Sequence, residues 1–162
     1  MSEEVAGPPS QRLAELGLTL PPVATPLAAY VPAVSSAGQV YTSGQLPTVG
    51  GRLLATGKVG GEVSLEQAVE AARVAALNAL AAAAAQAGGI DQIRRVVRMV
   101  VFVASDPGFT AQPQVANGAS ELLGAVFGPN GVHARSAVGV TVLPLDAPVE
   151  LELVVEASAA AF

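Results

Sequence analysis

The segment from Ser64 to Gly89 limits the fold more than any other part of the chain. Ser64-Leu-Glu-Gln67 is a capping box, in which the Ser64 hydroxyl accepts from the Gln67 amide and the Gln67 side chain returns to the Ser64 amide, so a helix is predicted to begin there. Leu65, Val69, Ala72, Ala76, Leu80, Ala83 and Ala87 then recur at three- and four-residue intervals, and Gly88-Gly89 ends the pattern. Eleven of the seventeen residues from Ala71 to Ala87 are alanine. Alanine favours a helix and adds almost no bulk, so this helix is expected to lie close on a sheet. A sheet candidate follows directly: Val96 to Ala104, VVRMVVFVA, is a Val-rich run broken only by Arg98, of the kind found in a central strand covered on both faces.

Shorter signals surround this pair. Ser10 to Leu16 reads as a helix with Ser10 as its N-cap and Gly17 as the left-handed residue that ends it. Pro21 to Pro26 is a linker that cannot be helical. Tyr30 to Val34 and Gln39 to Gln45 are strand-like and flank Ser35 to Gly38, which suits a turn, so a hairpin is predicted; Gly50-Gly51 leads into a third strand, Arg52 to Ala55. A second helix is predicted over Gln112 to Phe127, stopped by Gly128-Pro129, and strands over Ala134 to Val142 and Val149 to Glu156. The order is β-β-β-α-β-α-β-β with no internal repeat, which reads as residues 1–29 forming an amino-terminal helix and Pro-rich linker ahead of one domain over 30–162.

Composition narrows the functional classes. Of the 162 residues, 51% are hydrophobic and 17 are glycine, whereas charged residues are 13% against the usual ~25%. So few charges cover a small globule poorly, and part of the apolar excess is expected to be buried between subunits. The 8 basic residues are outnumbered by 13 acidic ones, and only six aromatic residues exist, which argues against a nucleic-acid groove. No cysteine and a single histidine argue against a thiolate nucleophile, a disulfide framework or a zinc site, so no metal is expected. The chain opens Met-Ser-Glu-Glu, acidic where a signal peptide is basic, and Glu66, Glu70, Arg73, Asn78 and Gln86 interrupt the alanine-rich helix. A soluble, cytoplasmic protein is expected, with no membrane partner.

Motifs for phosphate and acyl chemistry are missing. Gly51-RLLAT-Gly57-Lys58 has five residues between its glycines where a P-loop has four, and Val59 stands where the magnesium-binding Ser or Thr belongs. There is no GxSxG elbow, and a Ser-His-Asp triad would have to be built on His133. In the penultimate strand Ser136, Val138, Val140 and Val142 share one parity, predicted to face the core, which leaves Arg135 on the other face with His133, Ala137 and Gly139. In the last strand Val149, Leu151, Leu153 and Val155 alternate with Glu150, Glu152, Val154 and Glu156, so the carboxylates also leave the core. Alternation alone favours a solvated surface with ordinary charges; the alternative is a face lining a groove against a neighbouring subunit.

These residues resemble a known family. Arg135-Ser-Ala-Val-Gly-Val, Leu143-Pro144 and Val149-Glu150-Leu-Glu152 look like the closing signature of the RidA/YjgF family, whose older label is endoribonuclease L-PSP. Tyr30-Val31 and Thr42-Ser43-Gly44-Gln45-Leu46-Pro47 are similar to its first hairpin, and Asn117 falls where its second helix carries an Asn. The likeness runs from about Tyr30 to Glu156. It implies an α+β, chorismate-mutase-like fold, with a mixed sheet of about six strands and two helices on one face, beside the short amino-terminal helix. It also implies a homotrimer with ligand sites between subunits, and the hydrolysis of reactive enamines and imines of the 2-aminoacrylate type to a 2-keto acid and ammonia, without a cofactor.

Carried over residue by residue, the resemblance assigns Arg135 and Glu150 to catalysis and Tyr30, Ser43, Gly44, Asn117 and Arg135 to substrate binding. A guanidinium grips a small carboxylate bidentately, and a carboxylate can orient or deprotonate a water beside an imine. Read without the resemblance, Tyr30 packs at a strand start, Asn117 lies on the solvated face of a helix, and His133 is exposed at a loop-to-strand junction. Ala137 replaces a Cys common in the family, Ala28-Ala29-Tyr30 replaces Gly-Pro-Tyr, and Pro32 and His133 look like subgroup features. Two other functions are weighed: a non-catalytic homotrimer that binds a small carboxylate metabolite or a partner enzyme, and a ribonuclease, which the acidic balance disfavours. Arg94, Arg95 and Arg98 are read as a solvated edge.

Overall fold

The computed structural model describes residues 7–26 and 29–158; the acidic start at Met1 to Glu4, and Ala28, lie outside them. The elements are α1 (Pro9–Glu15), β1 (Ala33–Ser36), β2 (Gln39–Thr42), β3 (Thr48–Val49), β4 (Arg52–Leu53), α2 (Leu65–Ala87), β5 (Ile93–Ala104), α3 (Gln112–Phe127), β6 (Ala134–Val140) and β7 (Val149–Ala157). Five strands form one mixed sheet in the order β1-β2-β7-β5-β6, antiparallel except for β5 with β6. A parallel pair needs a crossover, and α3 supplies it. The two-residue strands β3 and β4 pair only with each other, so the sheet has five strands and a separate ribbon where about six strands were expected.

Helix α2 begins and ends where the capping box and glycines predict. Ser64 Oγ accepts from the Gln67 amide at 3.1 Å, Gln67 Oε1 accepts from the Ser64 amide at 2.9 Å, and Gly88 caps the other end at φ 87°. The helix is apolar enough in composition to cross a membrane, yet its alanines are core. They sit over Val40, Met99, Val101, Leu151, Leu153 and Val155, all nearly inaccessible to solvent; burying each such side chain contributes roughly 1.5–3 kcal/mol. Helix α3 packs beside α2, and Gly118 is the contact point: a β-carbon there would collide with the Val69 carbonyl. Asn78, buried among the alanines, donates to the carbonyls of Leu46 and Thr48 at 2.9 and 3.0 Å and so ties the loop after β2 to the helix.

Helix α1 differs from expectation in its cap. Pro8 is the N-cap and Pro9 occupies the first turn, where a missing N–H costs nothing. Ser10 instead gives its amide and hydroxyl to the Asp91 carboxylate at 2.9 and 2.6 Å, and Arg12 Nε donates to the Ala125 carbonyl at 2.7 Å, which docks α1 onto α3. Gly17 is left-handed at φ 68°, as predicted.

Both helices cover one face of the sheet. The other face carries no helix among the described residues, and there β5 offers half-buried Val100 and Phe102, β6 offers Val138 (44% exposed) and β2 offers Tyr41 (41% exposed). Two expectations fail on this point. Strand β5 is covered on one face rather than both. In β6 the valine parity is reversed: Arg135, Ala137 and Gly139 register with buried Met99, Val101 and Val103 on the helix side, while Ser136 and Val138 register with Val100 and Phe102 on the open side. Apolar side chains thus line both faces, and β6 turns its charged residue to the helix side because an edge strand leaves a guanidinium room to lie along α3.

Candidate functional site

The expected site residues fall into two groups on opposite faces of the sheet. In the first, Arg135 leaves the inner face of β6 and reaches α3. Its Nη1 donates to Asn117 Oδ1 at 2.8 Å and to Ser120 Oγ at 3.1 Å, and its Nη2 donates to the Pro113 carbonyl at 3.3 Å. Positions 113, 117 and 120 are one turn apart on one face of the helix, so α3 presents all three acceptors together. A guanidinium has five N–H donors. With three engaged, Nε–H and one Nη2–H have no acceptor among the described residues, and the Nε–Nη2 side is the one that meets a carboxylate side-on. Asn117 is therefore a partner of Arg135 rather than an idle residue on a solvated face. Ser120 was not anticipated; its place one turn after Asn117 is the signal that finds it.

The second group surrounds Glu150. Gln45 forms a two-way bridge to Leu151, its amide donating at 2.7 Å and its carbonyl accepting at 3.1 Å, which lays Ser43-Gly44 along the Glu150 side chain. Gly44 fits there because it lacks a side chain: a β-carbon would overlap Glu150 Oε1. The Ser43 hydroxyl donates to the Val31 carbonyl at 2.6 Å and the Ser43 amide to the Pro32 carbonyl at 2.8 Å, so Ser43 fixes the segment that carries Tyr30. The bond to Pro32 continues the β1–β2 register, but Pro32 has no N–H to return it, which is why the ladder ends there and β1 starts later than predicted. The Gly44 amide has no acceptor among the described residues. Tyr30 is 54% exposed at the rim of a cavity of about 390 Å³ that it shares with Pro26, Pro32, Gly44 and Leu145.

Register separates the two groups. Arg135 lies in the row of Met99 and Leu153 beneath the helices, and Glu150 lies in the row of Phe102 and Val138 on the open face. One chain therefore does not bring its own Arg135 and Glu150 together. His133 is half-buried with both ring nitrogens in hydrogen bonds, not exposed as its sequence context suggests. The arginine trio is dispersed: bulges interrupt β5 on either side of Arg95, and Arg98 donates to Ser136 Oγ at 3.4 Å on the open face.

Burial pushes the Glu150 carboxyl above its ordinary value of 4.5, and the neighbouring Glu152 adds to the rise. A raised carboxyl destabilises the fold only where it must ionise. The penalty is absent at pH below the ordinary value, grows as pH rises from there through the raised value, and is complete at neutral pH. Glu150→Gln is accordingly expected to raise the melting temperature at pH 7 and to lose that gain as the pH falls to 4, checked by thermal unfolding across this range; an equal gain at both ends would contradict the assignment.

Comparison with known proteins places the chain in a family. Residues 10–157 match the family described as "YjgF/chorismate_mutase-like, putative endoribonuclease". The chain is 44% identical over 159 residues to protein TCP17 of Trypanosoma cruzi, covering 96% of this chain and 98% of that one. Its fold superposes on a protein of unknown function from Agrobacterium tumefaciens with a TM-score of 0.85 at 45% identity, over 93% of this chain and 92% of the other. The Escherichia coli YjgF gene product matches with a TM-score of 0.59 at 26% identity, over 85% and 93%. By its fold, its paired hairpin and closing-strand motifs and these relatives, the chain belongs to the RidA/YjgF family.

Proposed function

We propose that this protein hydrolyses small enamines and imines of the 2-aminoacrylate type to a 2-keto acid and ammonia, in clefts between the subunits of a homotrimer. The observation that carries the reading is Arg135, held by three acceptors on α3 with Nε–H and one Nη2–H left without an acceptor among the described residues. A planar 2-imino acid offers the matching carboxylate, and the free Gly44 amide is a further donor for it. In the reaction, water adds to the imine carbon, a proton passes to nitrogen, and the carbinolamine collapses to release ammonia and leave the keto group. The imine is already electrophilic, so positioning and proton transfer suffice and neither metal nor cofactor is required. Glu150, whose proton affinity is raised by burial, is suited to take a proton from the water and return it to the leaving nitrogen.

The trimer accounts for two features at once. It covers the apolar residues of the open sheet face, and it lets Arg135 of one copy meet Ser43, Gly44 and Glu150 of the next, which a single chain does not achieve. The acidic residues on that face, Glu150 and Glu152, disfavour RNA as substrate. Such a protein would act in the cytoplasm beside the pyridoxal-phosphate enzymes that release these intermediates.

Subunit complementation tests this reading. Arg135→Ala and Glu150→Gln are each expected to be inactive toward 2-aminoacrylate generated enzymatically from serine. Unfolded together and reassembled, they should regain roughly a quarter of the wild-type sites, because random mixing in a ring puts one intact half-site of each kind at that share of interfaces. Full activity of either variant alone would overturn the residue assignment, and no recovery on mixing would overturn the shared cleft. Pyruvate binding to the wild type without any acceleration of imine hydrolysis would point instead to a carboxylate-binding trimer.

A further inference from the structure

We infer that Ser120 and His133 are positioning residues that hold Arg135 in its carboxylate-binding pose through a one-way relay of hydrogen bonds. This rests on the proposed role of Arg135, and it follows from which groups can donate. The Gly131 carbonyl only accepts, so His133 Nδ1, 2.5 Å away, must carry its proton. In the neutral ring Nε2 is then an acceptor, and the Ser120 hydroxyl 3.0 Å away must donate to it. With its one proton committed, Ser120 Oγ turns a lone pair to Arg135 Nη1 at 3.1 Å. In this tautomer the relay runs from Arg135 to Ser120 to His133 to Gly131.

Both ends are anchored. Gly131 is pressed against α3 so closely that a β-carbon would collide with the Leu123 carbonyl, which fixes its own carbonyl in place. The Arg135 end is shared with Asn117 and Pro113. Without the bond to His133 the Ser120 hydroxyl is free to turn about χ1, which carries Oγ out of reach of Nη1, and Arg135 loses an acceptor on the side opposite Nε. The carboxylate-binding edge then swings about the two remaining contacts. The expected signature is weaker ground-state binding of a 2-keto acid and a raised KM, with kcat less affected.

A double-mutant cycle on pyruvate binding, measured by calorimetry on the assembled protein, reads this directly. His133→Phe keeps the ring but removes both bonds, and about a tenfold loss of pyruvate affinity is expected. His133→Gln, whose amide oxygen can accept from Ser120, should restore part of that loss, and Ser120→Ala should match His133→Phe. In an Arg135→Ala background, neither substitution should weaken binding further. If His133→Phe and Ser120→Ala bind pyruvate as the wild type does while Arg135→Ala does not, the relay is wrong and the site stands. If Arg135→Ala itself binds normally, the site is wrong. Equal further losses in the Arg135→Ala background, or a His133→Gln variant no better than His133→Phe, would assign His133 to packing alone. Ser120→Ala, the smallest of these changes, gives the answer should His133→Phe fail to fold.

Discussion

Arg135→Ala is expected to lower the enzyme-dependent kcat/KM for 2-aminoacrylate by roughly 10²–10⁴-fold, since two hydrogen bonds to a charged group contribute about 1.5–3 kcal/mol each. The loss must be measured on the catalysed increment, because water hydrolyses an imine unaided. Arg135→Lys keeps the charge but not the planar fork, so it should recover only a small part of the activity. Stability should change little. The guanidinium lies on the exposed edge of β6, and its three bonds go to α3 groups that water can reach once it is gone. A variant that unfolds earlier yet turns over normally would reverse both expectations and make Arg135 a strut between β6 and α3.

The elements most legible in the sequence are those whose signals are local. A capping box, an alanine run and a glycine pair define α2 because each acts within a few residues, and the alternation of β7 is legible because one of its faces is buried by the helices. In β6 the expected parity fails for a physical reason. Parity arguments assume that the apolar face is the core, and here the valines lie on an open sheet face while Arg135 runs beneath α3. The separation of Arg135 from Glu150 was hidden for the same reason, since it depends on which strand lies next to β5 and in which direction. Family likeness supplied the identities of the two residues, but only the register reveals that one chain holds them on opposite faces. Asn78 carries no local sign of its role, and Ser120 carries only its place one turn after Asn117. One ties down the loop after β2 and the other accepts from Arg135, and both partners are distant in sequence.

Two glycines of α3 are expected to respond to alanine with opposite signs. At Gly124 a β-carbon meets nothing within 4 Å, so Gly124→Ala should stabilise the fold by about 0.5–1 kcal/mol, the helix-interior advantage of alanine. At Gly118 the β-carbon meets the Val69 carbonyl of α2, a backbone atom that cannot rotate aside. Overpacking of this kind costs about 1–3 kcal/mol, and a fixed obstacle puts Gly118→Ala at the upper end, with Gly118→Val beyond it. Denaturant unfolding of the two alanine variants measures the contrast, and a Gly118→Ala protein as stable as Gly124→Ala would mean that α2 and α3 are not in this contact. The consequence reaches the candidate site, because Gly118 stands between Asn117 and Ser120, both of which accept from Arg135. A helix pushed away from α2 carries those acceptors with it. Gly118→Ala is therefore expected to weaken pyruvate binding as well as stability, while Gly124→Ala leaves binding unchanged.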